Sequence, residues 1–65
     1  LLSPRETEVV ALVAEGLTDR QIAARLGGAH RTVQTQVASA RTKLGAESRA
    51  HLVALVTASA DQDGR

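Results

Sequence analysis

Glycines divide the chain into short apolar segments, and this division limits what it can fold into. Gly16, the pair at 27 and 28, and Gly45 separate stretches in which apolar residues recur at helical spacing. Glycine tolerates the left-handed backbone of a helix end, so each is a natural helix stop. The pattern predicts an all-α fold, a four-helix bundle-like domain. Its predicted helices cover residues 4–15, 19–26, 30–44 and 48–59.

Capping residues precede three of these helices. Residues 3–6 (SPRE) form a capping-box sequence with proline at the first helical position. Thr18 or Asp19 is predicted to cap the second helix, and Ser48 the fourth. The second helix is short and ends at a tight glycine turn, which indicates a helix-turn-helix formed by the second and third helices.

Composition restricts the core and the chemistry. The chain has 65 residues without Phe, Tyr, Trp, Met or Cys, so the core is expected to consist of Leu, Val, Ile and Ala. Without cysteine there is neither a disulfide nor a thiolate metal site, and the two histidines, His30 and His51, lie far apart. We expect no metal and no cofactor. No apolar run reaches the ~20 residues that a membrane span needs. The predicted domain covers residues 1–60, and residues 61–65 form a disordered polar tail.

Positive charge is concentrated in the middle of the sequence. The net charge is +1, but residues 1–19 carry −3, residues 20–49 carry +5 and residues 50–65 carry −1. A segregated basic segment suggests a polyanionic partner, although a solvated helical face would look the same.

The third predicted helix carries the most informative pattern. Its apolar residues fall within an arc of ~60° when each residue turns the helix by 100°. They are Val33, Val37, Ala40 and Leu44. The opposite face carries Arg31, Thr35, Ala38 and Thr42 and has no acidic residue. Such a face suits base edges and phosphates of DNA, whereas an ordinary solvated helix usually mixes Glu and Lys there.

The fourth predicted helix has an apolar stripe and a strip of small residues. The stripe consists of Leu52, Leu55, Val56 and Ser59, with Val53 at its edge. The strip consists of Ala50, Val53, Ala54 and Thr57. It would let two copies approach closely and form a dimer interface, or it is simply a solvent-facing surface.

Several segments in order resemble one family over residues 2–56. They are residues 2–10 (LSPRETEVV), 16–23 (GLTDRQIA), 31–35 (RTVQT), 43–45 (KLG), 48–49 (SR) and 52–53 (LV). Together they are similar to the LuxR-type (GerE-like) DNA-binding domain of bacterial transcription regulators. The resemblance implies a third helix in the major groove, a fourth helix that pairs two copies, and two DNA half-sites. It also implies a cytoplasmic output domain of a response regulator or a ligand-sensing regulator.

On this interpretation, double-stranded DNA is the partner, and the candidate residues contact either its bases or its phosphates. The residues expected to face bases are Gln34, Thr35 and Ala38. The candidates for phosphate contacts are Thr18, Arg20, Arg31, Thr32, Arg41 and Lys43. The alternative for the first set is ordinary solvent exposure. For the basic residues it is an internal pair with Glu6, Glu8 or Glu47, and Lys43 is the strongest candidate for such a structural role. His30 is expected to be exposed to solvent and to have no role in binding.

The sequence departs from the family at the third helix. Ala29 stands where the family usually has a capping Ser or Thr, a loss of ~1 kcal/mol. Gln34 stands where lysine is common, which removes one phosphate-neutralising charge. These departures keep open a protein-interaction module that has lost DNA binding. A promoter-binding domain like region 4 of a sigma factor is a further alternative, and a contact with RNA polymerase is compatible with either DNA-binding reading. No arrangement of residues indicates an enzyme.

Overall fold

The described part of the chain consists of four helices. The computed structural model describes the backbone of residues 1–63 and the side chains of residues 1–58. The helices are α1 (Pro4–Ala14), α2 (Asp19–Leu26), α3 (His30–Leu44) and α4 (Arg49–Asp63). Residues 1–63 contain no strand, so the predicted all-α class is confirmed.

The predicted helix bounds hold closely except at the end of α4. Glu15 caps α1 instead of belonging to it, and α4 begins after Ser48. α4 continues to Asp63, four residues beyond the predicted end at residue 59. Of the predicted tail, residues 64 and 65 lie outside the described residues, and the division into 1–60 and 61–65 stays a prediction.

Side-chain caps fix the starts of α1 and α2. Glu6 N–H donates to Ser3 Oγ at 3.1 Å, and Ser3 N–H donates to Glu6 Oε1 at 2.8 Å. Thr18 and Gln21 form the same reciprocal pair, at 3.2 and 2.8 Å. Both capping boxes satisfy backbone donors that a helix start otherwise leaves unpaired.

The later helix starts differ from each other. Ser48 Oγ accepts the His51 N–H at 3.0 Å, so the predicted cap of α4 is confirmed. Ala29 at the start of α3 makes no side-chain cap bond.

Two glycines end α2 and α3 in the left-handed conformation. Gly27 has φ 72° and Gly45 has φ 71°. Any residue with a Cβ is strained there, which explains glycine at both positions. The turn after Gly27 leads from α2 into α3, which packs against α2, and these two helices form the helix-turn-helix.

The core is a single aliphatic cluster. α1 packs against α3 and α4, and α2 packs mainly against α3. The buried apolar residues are Val9, Val10, Leu12, Val13, Ile22, Ala23, Val33, Val37, Ala40, Ala46 and Leu52. Leu2, Leu17, Leu26, Val53 and Val56 are partly buried against this cluster. The inner face of α3 is therefore packed in the core, and this packing determines which of its side chains are exposed on the outer face.

Two leucines of the apolar stripes on the third and fourth helices lie partly outside the core. Leu44 is 38% exposed and Leu55 is 37% exposed. Leu44 is the last residue of α3, where the chain turns away at Gly45, and Ala46 is buried instead. On α4 the side turned to the core carries Leu52, Val53 and Val56, so Leu55 lies at its margin. The side chain of Ser59 lies outside the described residues.

Candidate nucleic-acid interface

The outer face of α3 is exposed and carries no carboxylate. Arg31, Thr35, Ala38 and Thr42 are all exposed, and α3 contains no Asp or Glu along its length. The opposite side of the same helix is buried in the core. The four residues predicted to share the outer face of the helix therefore do lie on one exposed surface.

The three residues predicted to face bases lie on this surface or at its edge. Gln34, Thr35 and Ala38 are exposed. The Thr35 hydroxyl donates to the Arg31 carbonyl at 3.2 Å, within its own helix. Gln34 makes no side-chain hydrogen bond to any residue that the structure describes, so its amide is available to a partner. Their contact with bases stays a prediction.

Four of the predicted phosphate contacts lie near the starts of α2 and α3. Thr18 is the N-cap of α2, and Arg20 is exposed in its first turn. Arg31 and Thr32 are exposed in the first turn of α3. Among the described residues, no carboxylate lies within ion-pairing distance of Arg20 or Arg31. These two guanidinium groups are therefore not neutralised within the domain.

A shallow groove runs between these two helix starts. Thr18, Arg20, His30 and Arg49 line it, together with Gly16, Leu17 and Asp19. Backbone N–H groups and basic side chains at helix starts favour anions. His30 is exposed, as expected, and lies at the rim of this groove.

The other two predicted phosphate contacts are engaged inside the domain. Lys43 Nζ lies 2.7 Å from Glu6 Oε1 and 3.5 Å from the Leu1 carbonyl oxygen. Arg41 Nη2 donates to the Glu47 carbonyl oxygen at 2.7 Å. The Arg41 Nε is buried, and it has no acceptor among the described residues. The structural alternative for Lys43 is borne out in its contact with Glu6, and a phosphate contact by either residue stays a prediction.

Glu6 is buried, and its carboxyl group is ionised at neutral pH. Its residue surface is 8% exposed, and its carboxylate accepts from Lys43 and from the Ser3 N–H. The hydrogen bond from Lys43, followed by those from Ser39 and the Ser3 backbone, lowers the pKa of Glu6 to about 2. This carboxylate ties α1 to the last turn of α3.

Arg49 is a structural residue that the sequence did not reveal. Its Nη1 lies 2.5 Å from Asp19 Oδ1, and its Nη2 donates to the Leu17 carbonyl oxygen at 2.9 Å. These two contacts join the start of α4 to the first residue of α2 and to the turn before it. No local spacing signals a contact across 30 residues, so only the fold brings these groups together.

The predicted dimer strip on α4 is only partly free. Ala50, Ala54 and Thr57 are exposed, whereas Val53 is half-buried against the core. Leu55 adds an exposed apolar side chain to the same helix. The pairing of two copies stays a prediction.

Two kinds of site find no candidate among the described residues. No three His, Asp or Glu side chains in that part of the chain lie close enough to hold a metal ion. None of its helices is long and apolar enough to cross a membrane.

Comparison with known families gives a match over most of the chain. The family described as bacterial regulatory proteins, luxR family, matches residues 1–56. The chain belongs to this luxR family. This membership makes it a DNA-binding domain of the transcription-regulator kind and confirms the resemblance seen in residues 2–56.

Relatives of this luxR-family domain are named as transcription regulators. Candidate HTH-type transcriptional regulators of Mycobacterium bovis and Mycobacterium tuberculosis are 50% identical over 52 residues, 80% of this chain and 6% of each relative. The C4-dicarboxylate transport transcriptional regulatory protein DctR of Rhodobacter capsulatus is 49% identical over 47 residues, 72% of this chain and 24% of that protein. The transcriptional regulatory protein RcsB of Escherichia coli is 45% identical over 47 residues, 72% of this chain and 22% of that protein.

The luxR-family domain is much shorter than these relatives. It spans about 6% of the length of the mycobacterial proteins and about a quarter of DctR. No solved structure matches the chain.

Proposed function

We propose that the chain binds double-stranded DNA sequence-specifically, as the output domain of a bacterial transcription regulator. The observation that carries this proposal is the exposed, carboxylate-free outer face of α3, which the helix-turn-helix holds away from the core. In the proposed complex α3 lies in the major groove, and Gln34, Thr35 and Ala38 meet base edges.

Phosphate contacts would come from both helix starts. Thr18 and Arg20 at the start of α2 and Arg31 and Thr32 at the start of α3 are exposed. Arg41 and Lys43 already donate to the Glu47 carbonyl and the Glu6 carboxylate, so they have fewer donors left for phosphates. We therefore expect the two arginines, Arg20 and Arg31, to account for most of the salt dependence of binding, and the two threonines to add hydrogen bonds only.

Two copies are proposed to pair through α4. Ala50, Ala54 and Thr57 supply small exposed side chains, and the half-buried Val53 supplies only the edge of such an interface. Pairing would place two copies of α3 on successive turns of one DNA face. Sedimentation of the chain with and without a two-half-site duplex tests this part of the proposal.

Selection from random-sequence duplexes at two salt concentrations tests the proposed function. We expect affinity to fall steeply as salt rises, and we expect an enriched two-fold symmetric site with half-sites about one helical turn apart. Failure to bind any duplex at low salt would contradict the proposal and favour a protein-interaction module.

Substitution of Gln34 tests base reading directly. Gln34→Ala should weaken binding by ~1–3 kcal/mol at one base pair and relax the preference there, because an exposed amide can bond two atoms of adenine. Gln36→Ala is the matched control, since Gln36 lies on the other flank of α3 and is half-buried. Identical selected sites for Gln34→Ala and the unmodified chain would show that Gln34 does not contribute to base recognition.

A further inference from the structure

The hydroxyl groups of two threonines on the outer face of α3 are already used inside the helix. Thr35 Oγ1 donates to the Arg31 carbonyl at 3.2 Å, and Thr42 Oγ1 donates to the Ala38 carbonyl at 3.1 Å. A threonine hydroxyl has one proton to donate. A partner that approaches this face therefore meets a methyl group and oxygen lone pairs from each threonine, and a hydroxyl could donate to it only by giving up its bond within the helix.

Beyond Arg31, the residues of this face are uncharged, and the two basic residues nearest its C-terminal end make hydrogen bonds inside the domain. Arg41 is bonded to the Glu47 carbonyl, and Lys43 is bonded to Glu6. Between Thr35 and Thr42 the central exposed residue is Ala38, which adds a third methyl group. With a rise of about 1.5 Å per residue the row is about 10 Å long. That length corresponds to about three base-pair steps of 3.4 Å.

We infer that Thr35, Ala38 and Thr42 recognise the 5-methyl group of pyrimidines in the major groove. This inference rests on the proposed function, and it adds Thr42 to the residues that determine specificity. The 5-methyl group is the one apolar feature that a base pair displays in the major groove. A charge-free row of methyl groups matches it better than it matches phosphates, which need cations or hydrogen-bond donors. Thymine and 5-methylcytosine both carry this group.

The test removes the 5-methyl group of single thymines in the DNA and changes nothing else. In the site selected from random duplexes, each thymine is exchanged in turn for deoxyuridine, and the affinity of the chain is measured. We expect a loss of about four-fold at each contacted thymine, the effect of burying one methyl group. In a second set, a cytosine–guanine pair or a 5-methylcytosine–guanine pair replaces the contacted thymine–adenine pair. Tighter binding of the 5-methylcytosine duplex assigns recognition to the methyl group itself, and equal affinity for the two duplexes would overturn the inference.

Serine variants connect the effect to residues. Thr35→Ser and Thr42→Ser keep the hydroxyl and its helix bond but remove the methyl group. Each should lose about four-fold on the thymine duplex and nothing on the deoxyuridine duplex. Thr7→Ser is the matched control, because Thr7 is also exposed and its Oγ1 donates to the Ser3 carbonyl at 3.0 Å on α1. It should leave both affinities unchanged.

The outcomes separate this inference from the proposed function. Tight, salt-dependent binding with equal affinity for thymine and deoxyuridine duplexes would overturn the inference and leave the proposed function intact. A selected site without thymine would do the same. Serine variants that stay as sensitive to deoxyuridine as the unmodified chain would overturn the assignment to these residues. Absence of all DNA binding would overturn both.

Discussion

At the scale of single residues, the ionised Glu6 links charge to stability. Among the described side chains it is the buried acidic one, and its pKa of about 2 lies below the ordinary value of 4.5 because Lys43, Ser39 and the Ser3 N–H all donate to it. A lowered carboxylate pKa means that the folded state favours the ionised form. Its contribution is complete above about pH 4.5 and is lost as the pH falls towards 2.

Glu6→Gln should therefore lower stability most near neutral pH. The variant removes the ionised partner of Lys43, and the difference in the free energy of unfolding between the two proteins should shrink as the pH drops from about 7 to about 3. Urea unfolding at both pH values measures this difference. Glu8→Gln is the control, because Glu8 is exposed and its carboxylate comes no closer than 3.9 Å to its basic neighbour Arg5. A difference that does not change with pH would contradict the role of the Glu6 charge.

Arg31 and Arg5 are a matched pair of exposed arginines for testing phosphate contacts. Arg31 has no carboxylate partner among the described residues, and Arg5 lies beside Glu8 on α1. Arg31→Ala should weaken binding to all sequences about equally and reduce the slope of log affinity against log salt by about 1. Arg5→Ala should leave the slope unchanged. Equal slopes for all three proteins would exclude a phosphate contact by Arg31.

At the scale of the helix, α3 begins without a side-chain cap. Ala29 has φ −84° and ψ 144°, the extended backbone that a capping residue adopts, yet its methyl group cannot accept a hydrogen bond. α1 and α2 both begin with complete capping boxes. The helix proposed to read DNA is thus the one whose first turn is least secured.

Ala29→Ser should raise the stability of the domain by ~1 kcal/mol, because serine fits this backbone and can accept an N–H of the first turn. The midpoint of urea unfolding measures the gain. Ala24→Ser provides the control, since Ala24 is exposed inside α2 and serine there should cost a few tenths of a kcal/mol. If Ala29→Ser is no more stable than the unmodified chain, the first turn of α3 is not limited by its cap.

Local signals predicted the helices better than they predicted the contacts. Caps and glycines set the bounds of α2 and α3 because helix ends depend on neighbouring residues. The burial of Ala46 follows from the left-handed turn at Gly45, where the residue after the glycine commonly packs back on the helix. Arg49 could not be assigned, because its partners at Leu17 and Asp19 are distant in sequence.

At the scale of the whole molecule, α4 completes a small core. Its Leu52 is fully buried, and Arg49 joins the start of the helix to the turn before α2. A core of this size, built without aromatic residues, supplies only ~3–5 kcal/mol of net stability. Each large buried side chain therefore accounts for much of the total.

Leu52→Ala should remove most of the stability of the domain and leave a measurable fraction unfolded at 25 °C, because truncating a buried leucine costs ~2–5 kcal/mol. Leu55→Ala, on the same helix but 37% exposed, should change stability by less than ~1 kcal/mol. Circular dichroism during urea unfolding compares the two variants. Complete loss of helicity in Leu52→Ala would mean that α4 folds together with the helix-turn-helix. Loss of only the α4 signal, with DNA binding retained, would mean that α1, α2 and α3 fold without it, and that any pairing through α4 can change without altering the surface of α3.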